Sequence, residues 1–399
     1  MNDRLKRFMH IIKRVPSYFF EIICILIFYP ISKCIYGKRN IWLISERGDE
    51  ARDNGMHLFK YIRRVYPEKN VYYVIKKNAV DIRNIVECGN ILYKDTIKHR
   101  MMFYASKVCI STHLMGGYTT NEGFYCNVNR FRYVHNKKKF VSVKHGITKD
   151  DLPVLYYENS KLDLLIAGAK PEYEYMLKQF KYPEEKLKYT GFARFDNLFE
   201  NEEKNQILIM PTWRMYLSGK TGDEFRKSEF YIRWNSLLNN DRLTDLLIKN
   251  DIKLVFYPHY EIQKHIHEFE SKCSQIVLAD SNHFDVQNLL KESKILITDY
   301  SSVYFDFAYM SKPVVYYQFD RSQYLKGHYK KGYYDYEKMG FGLCTSSEND
   351  VVNEIMYYVN NNYKIKEKYE AIIKQFFPLR DNNNCKRITD EIIRMSQGS

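Results

Sequence analysis

The sequence predicts an α/β protein of two doubly wound, parallel-sheet domains behind a short membrane-associating segment, and three observations carry that expectation. From residue 40 onward, short apolar runs alternate with longer amphipathic stretches, the rhythm of strands covered by helices on both faces. The rhythm occurs twice, on either side of the polar run Asn197–Gln206, which is the best linker candidate. One stretch, Lys294–Asp320, reads by itself as strand, turn, helix and strand. The expected division is a segment over 1–38, a first domain over 39–200 and a second over 201–399.

The elements follow in chain order. Arg4, Lys6, Arg7, Lys13 and Arg14 precede an aromatic and apolar stretch interrupted by Glu21 and Pro30. The uninterrupted part is short of the roughly 20 residues that span a bilayer. A basic, aromatic segment of this kind suits the membrane interface, with a spanning helix and a helix packed on the protein as the other readings. Strands are expected at 41–45, 71–75, 108–111, 140–143, 164–167 and 187–190, with helices at 56–65 and 173–180 between them. The second half repeats the pattern with strands at 207–210, 254–257, 276–278, 295–298 and 314–317. Parallel strands of this kind carry ligands beyond their carboxyl ends, so two such domains facing each other predict a site in the cleft between them.

Bulk properties narrow the class. The 399 residues hold 62 Lys and Arg against 48 Asp and Glu, a net charge of +14, so the natural partners are anions. The basic residues are spread through both halves without a stripe or an RNA-binding signature, which argues against nucleic acid and leaves a phosphorylated substrate or an anionic membrane surface. Eight cysteines without a Cys-x-x-Cys pair fit reduced thiols and offer no zinc site.

Six clusters fall at expected strand ends. Thr298-Asp299-Tyr300-Ser301-Ser302 supplies hydroxyl and carboxylate side chains where a helix begins, a place suited either to capping or to a phosphate. His145 follows the strand at 140–143 and is followed by Gly146, so it is a candidate general base, with Lys144 or Lys149 near enough in sequence to hold phosphate. The bland alternative is a loop histidine bonded to a carbonyl. Pro211-Thr212-Trp213-Arg214 and Pro258-His259 end two strands of the second half, where an arginine fork and a histidine suit a diphosphate and a leaving phosphate. Each is also readable as an ordinary ion pair or a packed histidine. Ser45-Glu46-Arg47-Gly48 and Asp53-Asn54-Gly55 follow the first strand as turn and cap residues, and Asn54 is a candidate for touching the acceptor or fixing the His145 loop. Gly191 to Asp196 closes the first half, with Arg194 given a structural part. His99, His113, His135, His283 and His328 show no recognisable spacing and are assigned no role.

His145-Gly146, Pro211-Thr212-Trp213-Arg214, Pro258-His259 and above all Thr298 to Ser302 with Phe305-Asp306-Phe307-Ala308 resemble the CDP-glycerol glycerophosphotransferases, which build teichoic acids and related surface polymers. The resemblance runs from about Ile41 to Ile393. It implies two Rossmann-like domains in the GT-B arrangement, peripheral association with the cytoplasmic face of the plasma membrane, and transfer of glycerol phosphate from CDP-glycerol, or another CDP-polyol, to a hydroxyl of a lipid-linked glycan with release of CMP. It also implies His145 as catalytic base, His259 and Arg214 against the diphosphate, and Ser301 and Ser302, with Thr298 and Asp299 in the same turn, at the donor phosphate or nucleotide. No carboxylate cluster demands a metal, although the chemistry is compatible with a divalent cation. A GT-B glycosyltransferase using a nucleotide sugar is the nearer alternative, and a non-enzymatic basic protein binding membrane or polyanion the more distant one.

Overall fold

The computed structural model describes residues 3–114, 116–127, 138–199, 202–281, 283–327 and 330–397. His135, His328 and residues 200–201 of the expected linker lie outside them, as do the side chains of the basic residues before Arg14. The chain forms two compact units: unit 1 holds residues 1–147, 153–197 and 381–399, and unit 2 holds residues 148–152 and 198–380.

Unit 1 contains a seven-stranded, all-parallel sheet in the order β3-β2-β1-β4-β5-β6-β7. Its strands are β1 (Trp42–Ser45), β2 (Val71–Ile75), β3 (Ile91–Tyr93), β4 (Val108–Ser111), β5 (Lys139–Ser142), β6 (Leu164–Ala167) and β7 (Leu187–Tyr189). Every residue of β1, β4 and β6 is buried, which is why these segments are unbroken apolar runs rather than alternating ones. Unit 2 contains a six-stranded parallel sheet in the order β10-β9-β8-β11-β12-β13. Its strands are β8 (Gln206–Met210), β9 (Lys253–Phe256), β10 (Ile276–Leu278), β11 (Ile295–Thr298), β12 (Val314–Tyr317) and β13 (Gly342–Thr345). Its core joins Ile207, Ile209, Leu254, Phe256, Ile295 and Ile297 of the sheet to Phe230, Trp234, Leu243 and Leu247 of the covering helices.

Two strands have no counterpart in the sequence reading. Both β3 and β13 are edge strands, paired on one side only and partly exposed, so neither needs the apolar run that marks a central strand. The expected boundary also needs correcting at the C-terminus. Helix Asn384–Gln397 belongs to unit 1, although residues 201–399 were assigned together. Its first turn is held by Asp196, which accepts the N–H groups of Asn384 at 2.9 Å and Cys385 at 2.8 Å, and its face of Cys385, Ile388 and Ile392 is buried. An amphipathic helix with polar flanks gives no sequence cue to which core receives it.

The N-terminal helix α1 (Asp3–Tyr36) runs through Pro16 and Pro30. One face is committed to unit 1: Glu21, 1% exposed, accepts from Arg100, Tyr104, Thr120 and Tyr125 at 2.5–2.9 Å. The opposite face exposes Val15, Phe19, Ile23, Leu26, Ile27, Ile31 and Ile35. By length and composition alone, the Arg14–Tyr36 stretch is sufficient to cross a membrane.

Candidate functional site

In unit 1 the loop after β5 turns at Lys144, whose φ of 53° is in the left-handed region. The turn sends successive side chains in opposite directions. Lys144 is buried against the carboxylate of Glu172, itself fully buried and bonded to the N–H of Gly168 at 2.7 Å. Burial lowers the Lys144 pKa against the pull of that partner. Of the two parts considered for Lys144, acceptor contact or support of the loop, this buried ion pair supplies the second. His145 emerges on the other side with 66% of its side chain exposed.

Its Nδ1 meets Asp53 Oδ2 at 2.5 Å. With a carboxylate as acceptor, Nδ1 carries the proton, and the neutral ring keeps its lone pair on Nε2. The bond to Asp53 raises the histidine pKa. Burial would raise Asp53, but Arg194 and His145 outweigh it and its pKa is lowered. Arg194 Nη1 donates to Asp53 Oδ1 at 3.0 Å and to the His145 carbonyl at 2.6 Å. Asn54 ties the same loop down: Nδ2 donates to the Lys144 carbonyl at 2.7 Å, and Oδ1 accepts the Arg194 N–H at 3.0 Å. Of the two parts proposed for Asn54, this geometry supplies support of the His145 loop.

Asp53 occupies the N-cap position of α2 (Asn54–Val65) but makes no side-chain cap bond, because its carboxylate is turned to His145 and Arg194. Glu46 does the capping instead, accepting the N–H groups of Asp53 and Met56 at 2.9 Å and of Arg52 at 3.0 Å. Burial, then the neighbouring Asp53, pushes its pKa up to about 7. Gly55 makes room for that carboxylate: a Cβ there would stand 3.1 Å from Glu46 Cγ.

In unit 2 the turn after β11 is divided between framework and exposed groups. Thr298 is buried, its hydroxyl donating to the Met210 carbonyl at 2.6 Å. Asp299, also buried, accepts the N–H of Thr212 at 2.9 Å and of Tyr300 at 2.6 Å. Arg214 is 0% exposed. It bonds Asp299 through Nη2 at 2.8 Å, Asp320 through Nε at 2.7 Å and the Thr212 carbonyl through Nη1 at 2.6 Å. Tyr300 and Tyr324 stack at 3.7 Å beside its guanidinium. Two carboxylates keep Arg214 charged despite its burial. Arg214, Thr298 and Asp299, the residues expected at the donor phosphate, thus form a buried lattice that fixes the turn. Strand ends at the centre of a sheet are covered on both sides, and side chains there are consumed by their neighbours.

The outward groups are Ser301, Ser302 and His259. Ser302 stands at the N-cap of helix Val303–Tyr309 without a side-chain cap bond. His259 is half-buried, and its Nδ1 accepts the N–H of Glu261 at 3.3 Å, leaving the proton on Nε2 in the neutral ring. Desolvation lowers its pKa, which favours that neutral form. Lys149, in unit 2, donates to the Tyr300 carbonyl at 2.6 Å and the Tyr336 hydroxyl at 2.7 Å, braced over the Tyr304 and Tyr336 rings. Burial brings its pKa down to about 8. The Thr212 hydroxyl is buried without a hydrogen-bond partner among the described residues. No cluster of three metal-ligating side chains occurs among the described residues.

The sequence reading missed Asp53 as the partner of His145, gave Arg194 no place beside it, and assigned Asp320 no part. The spacing of 92 residues between His145 and Asp53 carries no local signal, so only the sheet joins them.

Residues 27–394 match the family described as CDP-Glycerol:Poly(glycerophosphate) glycerophosphotransferase. The chain is 37% identical over 372 residues to the minor teichoic acid biosynthesis protein GgaB of Bacillus subtilis (strain 168), covering 90% of this chain and 40% of that one. It is 28% identical over 255 residues to a teichoic acid poly(glycerol phosphate) polymerase of Bacillus spizizenii, covering 59% of this chain and 60% of the relative. The chain thus spans less than two thirds of either relative. The structure of the wall teichoic acid polymerase TagF superposes with a TM-score of 0.68 at 18% identity, covering 97% of this chain and 98% of the other. A putative UDP-N-acetylglucosamine 2-epimerase from Listeria monocytogenes gives a TM-score of 0.58 at 14% identity, so the GT-B-like fold does not by itself select a reaction. Together with the family match over most of its length, the relatives identify this chain as a member of the CDP-glycerol:poly(glycerophosphate) glycerophosphotransferase family.

Proposed function

We propose that the chain transfers glycerol phosphate, or a related polyol phosphate, from CDP-glycerol to a hydroxyl of a lipid-linked surface-polymer precursor, releasing CMP. The observation that carries the chemistry is His145, whose Nδ1 is fixed by Asp53 while its ring stays accessible. That is the arrangement of a general base oriented by a carboxylate.

In this reading His145 Nε2 takes the proton of the acceptor hydroxyl as its oxygen attacks the phosphorus that bears glycerol. The bond from that phosphorus to the bridging oxygen breaks, and CMP leaves with the electron pair. Unit 2 receives the donor, with Ser301, Ser302 and the Thr212 hydroxyl as hydrogen-bonding groups and His259 Nε2–H stabilising charge on the leaving phosphate. Arg214, Thr298 and Asp299 serve indirectly by holding the turn, and Lys149 supports its Tyr300 carbonyl. A divalent cation, if used, would be brought with the diphosphate.

The protein is proposed to work peripherally at the cytoplasmic face of an anionic membrane. The apolar outer face of α1 supports that placement, and the attachment of its other face through Glu21 favours a helix lying in the interface over one crossing it.

The test is CMP release by the purified protein from CDP-glycerol, CDP-ribitol and UDP-sugars, with membrane lipids as acceptor and His145→Ala as control. CMP from one CDP-polyol, lost in the variant, is the expected result. Release of UDP instead would overturn the assignment in favour of a glycosyltransferase.

A further inference from the structure

Both sheets share one connectivity, in which the order of strands reverses between the first strand and the fourth. In unit 2 that switch point lies between β8 and β11, at Thr212 and the Thr298 to Ser302 turn. In unit 1 it lies between β1 and β4, with β5 alongside. Open α/β sheets bind ligands beyond the carboxyl ends of the strands at such a point. The side chains just past those three strand ends in unit 1 are Arg47, His113 and His145.

They are arranged in a chain. Arg47 Nε donates to His113 Nε2 at 3.3 Å, and His113 Nδ1 pairs with the Thr112 hydroxyl at 2.9 Å. Arginine has only donors, so Nε2 must accept, the ring proton sits on Nδ1, and His113 is neutral. Burial, with His145 and Arg47 nearby, brings its pKa down to about 4. The His113 ring stacks on His145 at 5.8 Å and 21°.

Charge around the base is unevenly compensated. Arg194 is matched by Asp53 at 3.0 Å, whereas the one carboxylate paired with Arg47 among the described residues is Glu50 at 3.7 Å, with 53% of the arginine side chain and 35% of the glutamate exposed. A pair that loose and that wet is weak. The Arg47 guanidinium is therefore an available fork of donors, carried on a neutral imidazole beside the histidine base.

We infer that Arg47, held by His113, is an anion subsite for the acceptor, binding a phosphate group that the acceptor carries close to the hydroxyl presented to His145. The inference rests on the proposed role of His145. An arginine fork matches phosphate oxygens, whether they belong to a lipid diphosphate or to a phosphodiester of the polymer.

The experiment is an NMR titration of the full chain labelled at histidine Cε1, with signals assigned through His113→Gln, His145→Gln and His259→Gln. The probes are inorganic phosphate, dimethyl phosphate as a diester and an alkyl diphosphate. At least one organic probe should move the His113 and His145 signals, and Arg47→Gln should weaken that response tenfold or more. Whichever organic probe binds more tightly names the source of the phosphate. Unmoved His113 and His145 signals, or an equal response in Arg47→Gln, would overturn the subsite. The His259 signal reports unit 2 separately. In turnover, Arg47→Gln should raise the acceptor KM tenfold or more with the CDP-glycerol KM unchanged. Absence of CMP release with an intact Arg47-dependent response would sink the transferase reading and leave the subsite standing.

Discussion

Replacing Arg214 with methionine separates the two parts open to this residue. A donor contact would be lost with little effect on folding, since surface substitutions usually stay within about 0.5 kcal/mol. The buried lattice predicts otherwise. Arg214 is 0% exposed and bonds both Asp299 and Asp320 at 2.7–3.1 Å, so the substitution leaves two buried carboxylates without their countercharge. Asp299 would keep the N–H groups of Thr212 and Tyr300, and Asp320 the hydroxyls of Tyr216 and Tyr300, which softens the loss without supplying charge. Removing one partner of a buried ion pair costs about 3–5 kcal/mol. For a unit of this size each kcal/mol lowers Tm by about 2–4 °C, so the melting step of unit 2 should fall by about 6–20 °C in calorimetry. Arg214→Lys should recover only part of this, because one ammonium cannot reproduce the planar fork between the two carboxylates and the Thr212 carbonyl. A methionine variant that melts within 2 °C of the wild type, with a CDP-glycerol KM raised tenfold or more, would refute the lattice and restore Arg214 as a phosphate contact; the 2 °C margin corresponds to about 1 kcal/mol or less.

Four further outcomes are expected. Asp53→Asn should lower kcat/KM by about 10²–10⁴-fold, and the acid limb of the pH profile, placed above the ordinary histidine value by the bond to Asp53, should move down. The same bond stabilises the fold below the unfolded histidine pKa and is lost as pH rises through the raised folded value, so the difference in denaturation midpoint between wild type and His145→Gln should shrink from acid to alkaline pH. Gly55→Ala crowds the Glu46 carboxylate and should cost about 1–2 kcal/mol in urea unfolding, with a loss of turnover through Asp53. Phe19→Glu with Leu26→Glu, on side chains 64% and 71% exposed, should abolish flotation with anionic vesicles while leaving the melting curve unchanged.

Much of the framework could be read in advance because central parallel strands are buried on both faces. The central runs at β2, β4, β6, β11 and β12 coincide with the expected segments residue for residue. The edge strands β3 and β13 escaped for the complementary reason. The turn at Thr298 to Ser302 was legible as a place, but the division of labour within it was not. Which hydroxyl or carboxylate faces inward depends on β8, remote in sequence, and on Asp320, which lies beyond the next strand.

The sequence by itself determined the α/β class, the doubling of the sheet, the position of His145 after a strand and the resemblance that the family match bears out. These are properties of local apolar runs and of motifs short enough to carry their own signal. Only tertiary structure decided which side chains are available for chemistry. It placed Lys144 against Glu172, enclosed Arg214 between Asp299 and Asp320, and brought Asp53, His113 and Arg47 beside His145. The physical reason is that a charge leaves water only with a partner, and at the end of a parallel strand that partner comes from a neighbouring strand or loop whose distance along the chain the sequence does not constrain.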